Sequence, residues 1–154
     1  MEECFFDRTT GSCVTCGSEC IQTHNILIRN CKVDRGQSLL QLKMRPDTPQ
    51  HYEYITIDGV EGSCRCVLSV APWTQFFDLK DRKDIPHSYG EHIIFRNLNL
   101  ECKSFANIRP KPEEFSLDDF TFENVRVTTP QPEWESSAIS NLKIINTFIN
   151  DIEQ

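Results

Sequence analysis

One six-residue pattern recurs along nearly the whole chain: an apolar residue, any residue, an apolar residue, any residue, Asn or Gly, then a small or apolar residue. Its copies are Ile26-Leu27-Ile28-Arg29-Asn30-Cys31, Ile55-Thr56-Ile57-Asp58-Gly59-Val60, Ile93-Ile94-Phe95-Arg96-Asn97-Leu98, Phe120-Thr121-Phe122-Glu123-Asn124-Val125 and Leu142-Lys143-Ile144-Ile145-Asn146-Thr147, with a truncated copy at Glu2-Glu3-Cys4. Alternating apolar residues share one face of a β-strand, and the β-branched and aromatic content favours strand over helix. The Asn or Gly marks a bend, because both tolerate the left-handed backbone region. The markers Glu3, Asn30, Gly59, Asn97, Asn124 and Asn146 stand 22 to 38 residues apart, a spacing that suits one strand-rich coil per repeat.

A stack of such coils is a parallel β-helix, in which each coil buries its inward residues against the coils above and below. The expected fold is therefore all-β, a single β-helix domain over residues 1–154 with about five or six coils. Equivalent positions then align in ladders, and Cys4 over Cys31 is one of them. The rival, a β-sandwich, requires hairpin turns, and the Asn-Gly or Asp-Gly signal occurs only at Asp58-Gly59, inside a repeat.

The repeat is interrupted in three places. Met44 to His51 is polar with two prolines and predicts an ordered turn. Ala71 to Gly90 is long and carries Trp73, Phe76, Phe77 and Tyr89 beside the charge run Asp78 to Asp84. Rings interspersed with Lys and Arg suit an acidic sugar, the rings covering pyranose faces and the cations meeting carboxylates; the alternative is a solvated excursion pinned by its aromatics. The Pro-rich stretch 129–135 breaks the pattern before a last copy, where Leu142, Ile145, Phe148 or Ile149, and Ile152 also have helical spacing. That end is expected to be a closing strand or a capping helix.

Charge excludes one large class of function. The net charge is −7, and the 16 Lys and Arg gather into no stripe that would track phosphates, so nucleic acid is not expected as a partner. Apolar runs such as Ile93-Ile94-Phe95 are far short of a membrane span, so no membrane partner is expected and the chain should act as a monomer. The start Met1-Glu2-Glu3-Cys4 lacks the basic head and apolar body of a signal peptide, which implies a cytoplasmic location if Met1 is the true start.

Four of the eight cysteines, Cys4, Cys13, Cys16 and Cys20, crowd the first twenty residues. Cys13-x-x-Cys16 with Cys20 or His24 has the makings of a zinc site, but the second paired knuckle is missing and Cys64-Arg65-Cys66 is too closely spaced. Interior packing is the preferred reading, with no metal. His24, His51, His87 and His92 fall in no hydrolase signature, and no phosphate loop is present, so no cofactor is expected.

The runs Asn25 to Cys31, Leu39 to Lys43, Tyr54 to Val60, His92 to Asn97 and Phe120 to Val125 together resemble the later coils of polygalacturonase-like enzymes of glycoside hydrolase family 28, most closely the C-terminal part of the bacterial members. The resemblance covers most of the chain. It implies a right-handed β-helix truncated at its N-terminus, action on pectin-type galacturonate polymers with inversion at the sugar carbon, and a secreted or periplasmic parent. The family's Arg-Ile-Lys motif, which grips the substrate carboxylate, matches Gln41-Leu42-Lys43, and Arg45 stands two residues on to supply the missing guanidinium. The implied substrate-binding residues are Lys43, Arg45, Gln41, Trp73 and Arg82.

The family's other motifs do not carry over. Arg35-Gly36-Gln37-Ser38 has glutamine where Gly-His-Gly has histidine, and the paired aspartates are replaced by Thr10, Gly11 and Ser12. The Asn-Thr-Asp motif has no match. Inversion needs an acid and a base roughly 6.5–9.5 Å apart, and Asp7 alone cannot be both. Asp118-Asp119 stands just before a strand, where it reads as a solvated corner. The resemblance implies a polygalacturonase-like glycoside hydrolase or a fragment of one, acting on or binding a pectin-type acidic polysaccharide, with its acid and base on coils outside this chain; the alternative is a non-catalytic carbohydrate-binding or structural β-helix lacking the catalytic aspartates.

Overall fold

A computed structural model describes residues 1–75, 78–81, 83–84 and 86–154. The alternating pattern forms ten strands: β1 (Phe5–Asp7), β2 (Val14–Cys16), β3 (Gln22–Met44), β4 (His51–Pro72), β5 (Ser88–Cys102), β6 (Ala106–Ile108), β7 (Phe115–Thr128), β8 (Ile139–Ser140), β9 (Lys143–Ile149) and β10 (Ile152–Glu153). Apart from one 3-10 turn at Ser136–Ala138, no helix occurs among the described residues. The architecture is all-β, a mostly parallel and unclosed sheet.

The strands stack in the order β1-β3-β4-β5-β7-β9-β10, with β2 on β3, β6 on β4 and β8 on β7. Every pairing is parallel except β9 with β10. Parallel neighbours in sequence order require each strand to be followed by a return, and the long strands make part of that return themselves by bending. Glu3, Asn30, Gly59, Asn97, Asn124 and Asn146 all have φ between 46° and 67°, so every repeat marker is a left-handed corner. A second column of corners, Asn25, Tyr54, His92 and Asp119, lies five residues earlier with φ between 51° and 58°. Their residue types are too varied to show as a motif.

Register turns the repeat into core. Ile28, Ile57, Phe95, Phe122 and Ile144 form one inward column, and Cys31, Val60, Leu98, Val125 and Thr147 another. Phe95 and Phe122 have no exposed surface, and burying side chains of this size contributes roughly 1.5–3 kcal/mol each. Phe5 pairs with Lys32, which sets Cys4 over Cys31 as the ladder predicts, and Cys31 is buried.

The C-terminal end resolves as strand. Asn141 and Asn146 adopt φ of 51° and 46°, which interrupts any helix, and β9 joins β7 in register. Asn150 and Asp151, at φ 52° and 63°, then make a two-residue turn that folds β10 back antiparallel, Ile152 opposite Ile149. This is a hairpin the Gly-centred signal misses, since both central residues adopt positive φ without glycine. Asp58-Gly59 makes no hairpin: it is a bend inside β4.

Candidate functional site

Two side-chain constellations face outward, one around Lys43 and Trp73 and one around His51 and Glu91. The β3–β4 register pairs Gln41 with Ser69, Lys43 with Ala71 and Met44 with Pro72. Two residues past Ala71, Trp73 falls on the same side as Lys43, its N–H donating to the Met44 carbonyl at 2.7 Å. The Lys43 ammonium stands 3.9 Å from the centroid of the Trp73 ring, a cation–π contact. Gly17 passes close over the lysine: a Cβ there would lie 2.7 Å from Lys43 Cβ.

Gln41, two residues before Lys43 on the same face, lines a shallow cavity of about 170 Å3 with Ser12, Gln37, Ser38, Arg65 and Asn107. The Ser12 and Ser38 hydroxyls are 2.5 Å apart, and Ser12 Oγ is 3.5 Å from Gln41 Oε1. The outward positions of this face in register, Thr15, Gln41, Ser69 and Asn107, then Lys43 and Ala71, hold no carboxylate.

Arg45 does not extend the lysine's alternation, because the chain leaves β3 after Met44. The Arg45 side chain is 9% exposed and grips Asp47 with both ends of its fork, Nε to Oδ1 at 2.7 Å and Nη2 to Oδ2 at 2.6 Å. Asp47 also accepts the Thr48 hydroxyl at 3.1 Å and the Asp78 N–H at 2.9 Å. The guanidinium beside it holds the Asp47 carboxyl well below the usual carboxylate range. Arg45 therefore fastens the turn to the connection that carries Trp73. Arg82 lies outside the described residues.

The second constellation gathers His24, His51 and His87 on the segments that precede the Tyr54 corner column, with the fourth histidine, His92, in the column itself. His24, Glu53, Glu91 and Asp118 stand in register on successive strands, beside the row His51, Tyr89 and Ser116. His51 Nε2 is 2.5 Å from Glu91 Oε1 and 3.9 Å from Glu53 Oε2. His87 Nε2 meets the Ser116 hydroxyl at 2.5 Å. At the corner, Tyr54 stacks on His92 with centroids 4.8 Å apart, His92 Nδ1 lies 2.7 Å from Asp119 Oδ2, and Lys143 donates to Asp119 Oδ1 at 2.6 Å.

No motif search finds this group, because His51-x-Glu53 meets Glu91 only from the next repeat, 38 residues after Glu53. The available signal is positional: His24, Glu53, Glu91 and Asp118 each precede a repeat marker by six residues. Glu53 and Glu91 are not an inverting pair, since their nearest oxygens lie within 4.8 Å of each other, closer than the water-sized gap of roughly 6.5–9.5 Å. Asp118 and Asp119 diverge: Asp118 accepts the Asn141 amide at 2.7 Å, while Asp119 sits at the corner, held ionised by Lys143 and then His92.

No protein-family model, curated protein or solved structure matches the chain. Burial pushes the Cys13, Cys16 and Cys66 thiols up to about 12, away from thiolate nucleophilicity at neutral pH. Among the described residues, Cys13, Cys16, Cys20 and His24 form no group of three ligand atoms within 4.8 Å. No helix among the described residues is long and apolar enough to cross a membrane.

Proposed function

We propose that the chain is a right-handed parallel β-helix of the polygalacturonase-like kind that binds an acidic, galacturonate-type polysaccharide at Lys43, Gln41 and Trp73 without cleaving it. The observation that carries this reading is the Lys43 ammonium over the Trp73 ring, on a face whose in-register positions hold no carboxylate. An ammonium meets a uronate carboxylate, an aromatic ring covers the apolar face of a pyranose, and Gln41 supplies an amide to sugar hydroxyls. The absence of a carboxylate pair there leaves no acid and base for inversion.

Calorimetric titration with oligogalacturonate, paired with a reducing-end assay on polygalacturonate, tests both halves. Binding that weakens about tenfold in Lys43→Met and in Trp73→Ala, with no release of reducing ends, is the expected result. Sustained release of reducing ends by the purified chain would overturn the non-catalytic half, and undiminished binding by both variants would overturn the site.

A further inference from the structure

The geometry points to a divalent-cation site at His51, Glu53 and Glu91, taking a first-row ion of the Zn2+ kind and tying β4 to β5. It is independent of the polysaccharide reading and lies on the other face.

The first observation is the donor set. His51 Nε2, one oxygen of Glu53 and one of Glu91 lie within 4.8 Å of one another, the two measured spacings being 2.5 Å and 3.9 Å. Ligand atoms on one ion at about 2.0–2.2 Å are separated by roughly 3–3.5 Å. His51 and Glu91 need to part slightly and Glu53 to close by a similar amount, which side-chain rotation provides. All three side chains are partly exposed, 37%, 18% and 28%, so an ion has an entry path and positions left for water.

The second observation is charge. Several outward carboxylates have Lys or Arg partners: Asp58 has Arg96, Asp119 has Lys143, Glu61 has Lys32 and Asp34 has Arg35. Glu53 and Glu91 sit side by side in register, with Asp118 next along the column, and their one ion-pair partner among the described residues is His51. Like charges on neighbouring strands oppose pairing. A divalent cation removes that repulsion and uses the imidazole as its nitrogen ligand. One nitrogen and two carboxylates favour a first-row divalent ion over Ca2+, which prefers six to eight oxygens.

The test uses Co2+ as the probe on the metal-stripped full chain, followed by calorimetry and absorption, with Ca2+ in parallel. The expected result is one Co2+ per chain, tighter than Ca2+, with visible d–d bands and no near-UV sulfur-to-cobalt charge transfer. His51→Ala and Glu91→Gln should each weaken binding ten- to a hundredfold, whereas Cys20→Ser leaves it unchanged. Glu53→Gln gives a second reading should His51→Ala fail to fold by circular dichroism. The site is overturned if no stoichiometric Co2+ binds, if the His51 and Glu variants bind as the parent does, or if a charge-transfer band appears and disappears in Cys20→Ser.

Discussion

Asn124 donates a side-chain N–H to the side-chain oxygen of Asn97 on the neighbouring strand at 3.2 Å, and Asn146 repeats the contact onto Asn124 at 2.7 Å. The ladder runs on to Asp58, which accepts from Asn97 at 2.7 Å. Each asparagine thus serves twice, tolerating the left-handed corner and bonding to the corner beside it. Asn124→Ala loses both and should cost about 2 kcal/mol, whereas Asn124→Gly keeps the corner and should cost about half as much. Urea denaturation of both variants measures the difference; equal losses would show that the ladder, not the backbone, carries the effect.

The legible part of the fold follows from this double duty. Asn or Gly at a corner is a narrow choice, so the marker column stands out and its spacing discloses the strand stack. The Tyr54 column is equally regular in backbone but holds Asn, Tyr, His and Asp, whose side chains are chosen by what they touch outside, and no composition rule finds it. Lys43 was legible because alternation fixes which strand residues face outward. Arg45 was not, since the strand ends before it and a buried aspartate takes its guanidinium. The His51 group is invisible in sequence because Glu91 approaches His51 and Glu53 only through the β4–β5 register.

Phe122 lies flat against Phe95, centroids 4.9 Å apart and planes 6° from parallel, and also meets the Trp134 ring at 5.6 Å. Trp134 comes from the Pro-rich stretch, so this ring contact is how the break in the repeat is held to the core. Phe122→Ala should lose about 3–5 kcal/mol. It should also loosen Trp134, giving a red shift in tryptophan emission before global unfolding. Unchanged emission in the folded variant would mean that Phe105, 5.0 Å from Trp134, suffices to seat the indole.

The Arg45–Asp47 pair makes stability depend on acid. Asp47 has its folded-state pKa lowered, chiefly by the Arg45 hydrogen bonds, so its contribution is present above the unfolded value near pH 4 and is lost as pH falls through the folded one. Stability measured by urea between pH 7 and pH 3 should therefore drop more steeply in the parent than in Asp47→Asn. At pH 7 the variant should already be weaker by about 1.5–3 kcal/mol, because a neutral amide replaces the charge-assisted fork that Arg45 makes with Asp47. Parallel pH profiles for the two proteins would assign the acid sensitivity elsewhere.

Gly17 decides whether Lys43 can stay over Trp73. A methyl group there would stand 2.7 Å from Lys43 Cβ and 3.0 Å from Lys43 O, and the glycine's φ of +113° is itself poor for a side chain. Because Lys43 Cβ and O are fixed by the β3 main chain, the backbone at Gly17 or at Lys43 must shift, and the lysine stem shifts with it. Gly17→Ala should cost about 1–2 kcal/mol in stability and weaken oligogalacturonate binding about tenfold. The two effects separate in a double-mutant cycle with Lys43→Met. If the glycine acts through the lysine, Gly17→Ala adds no further loss of binding in the Lys43→Met background, while its stability cost persists. A full second loss in that background would mean that Gly17 shapes the face directly, and the ammonium over the indole would no longer be the contact on which binding turns.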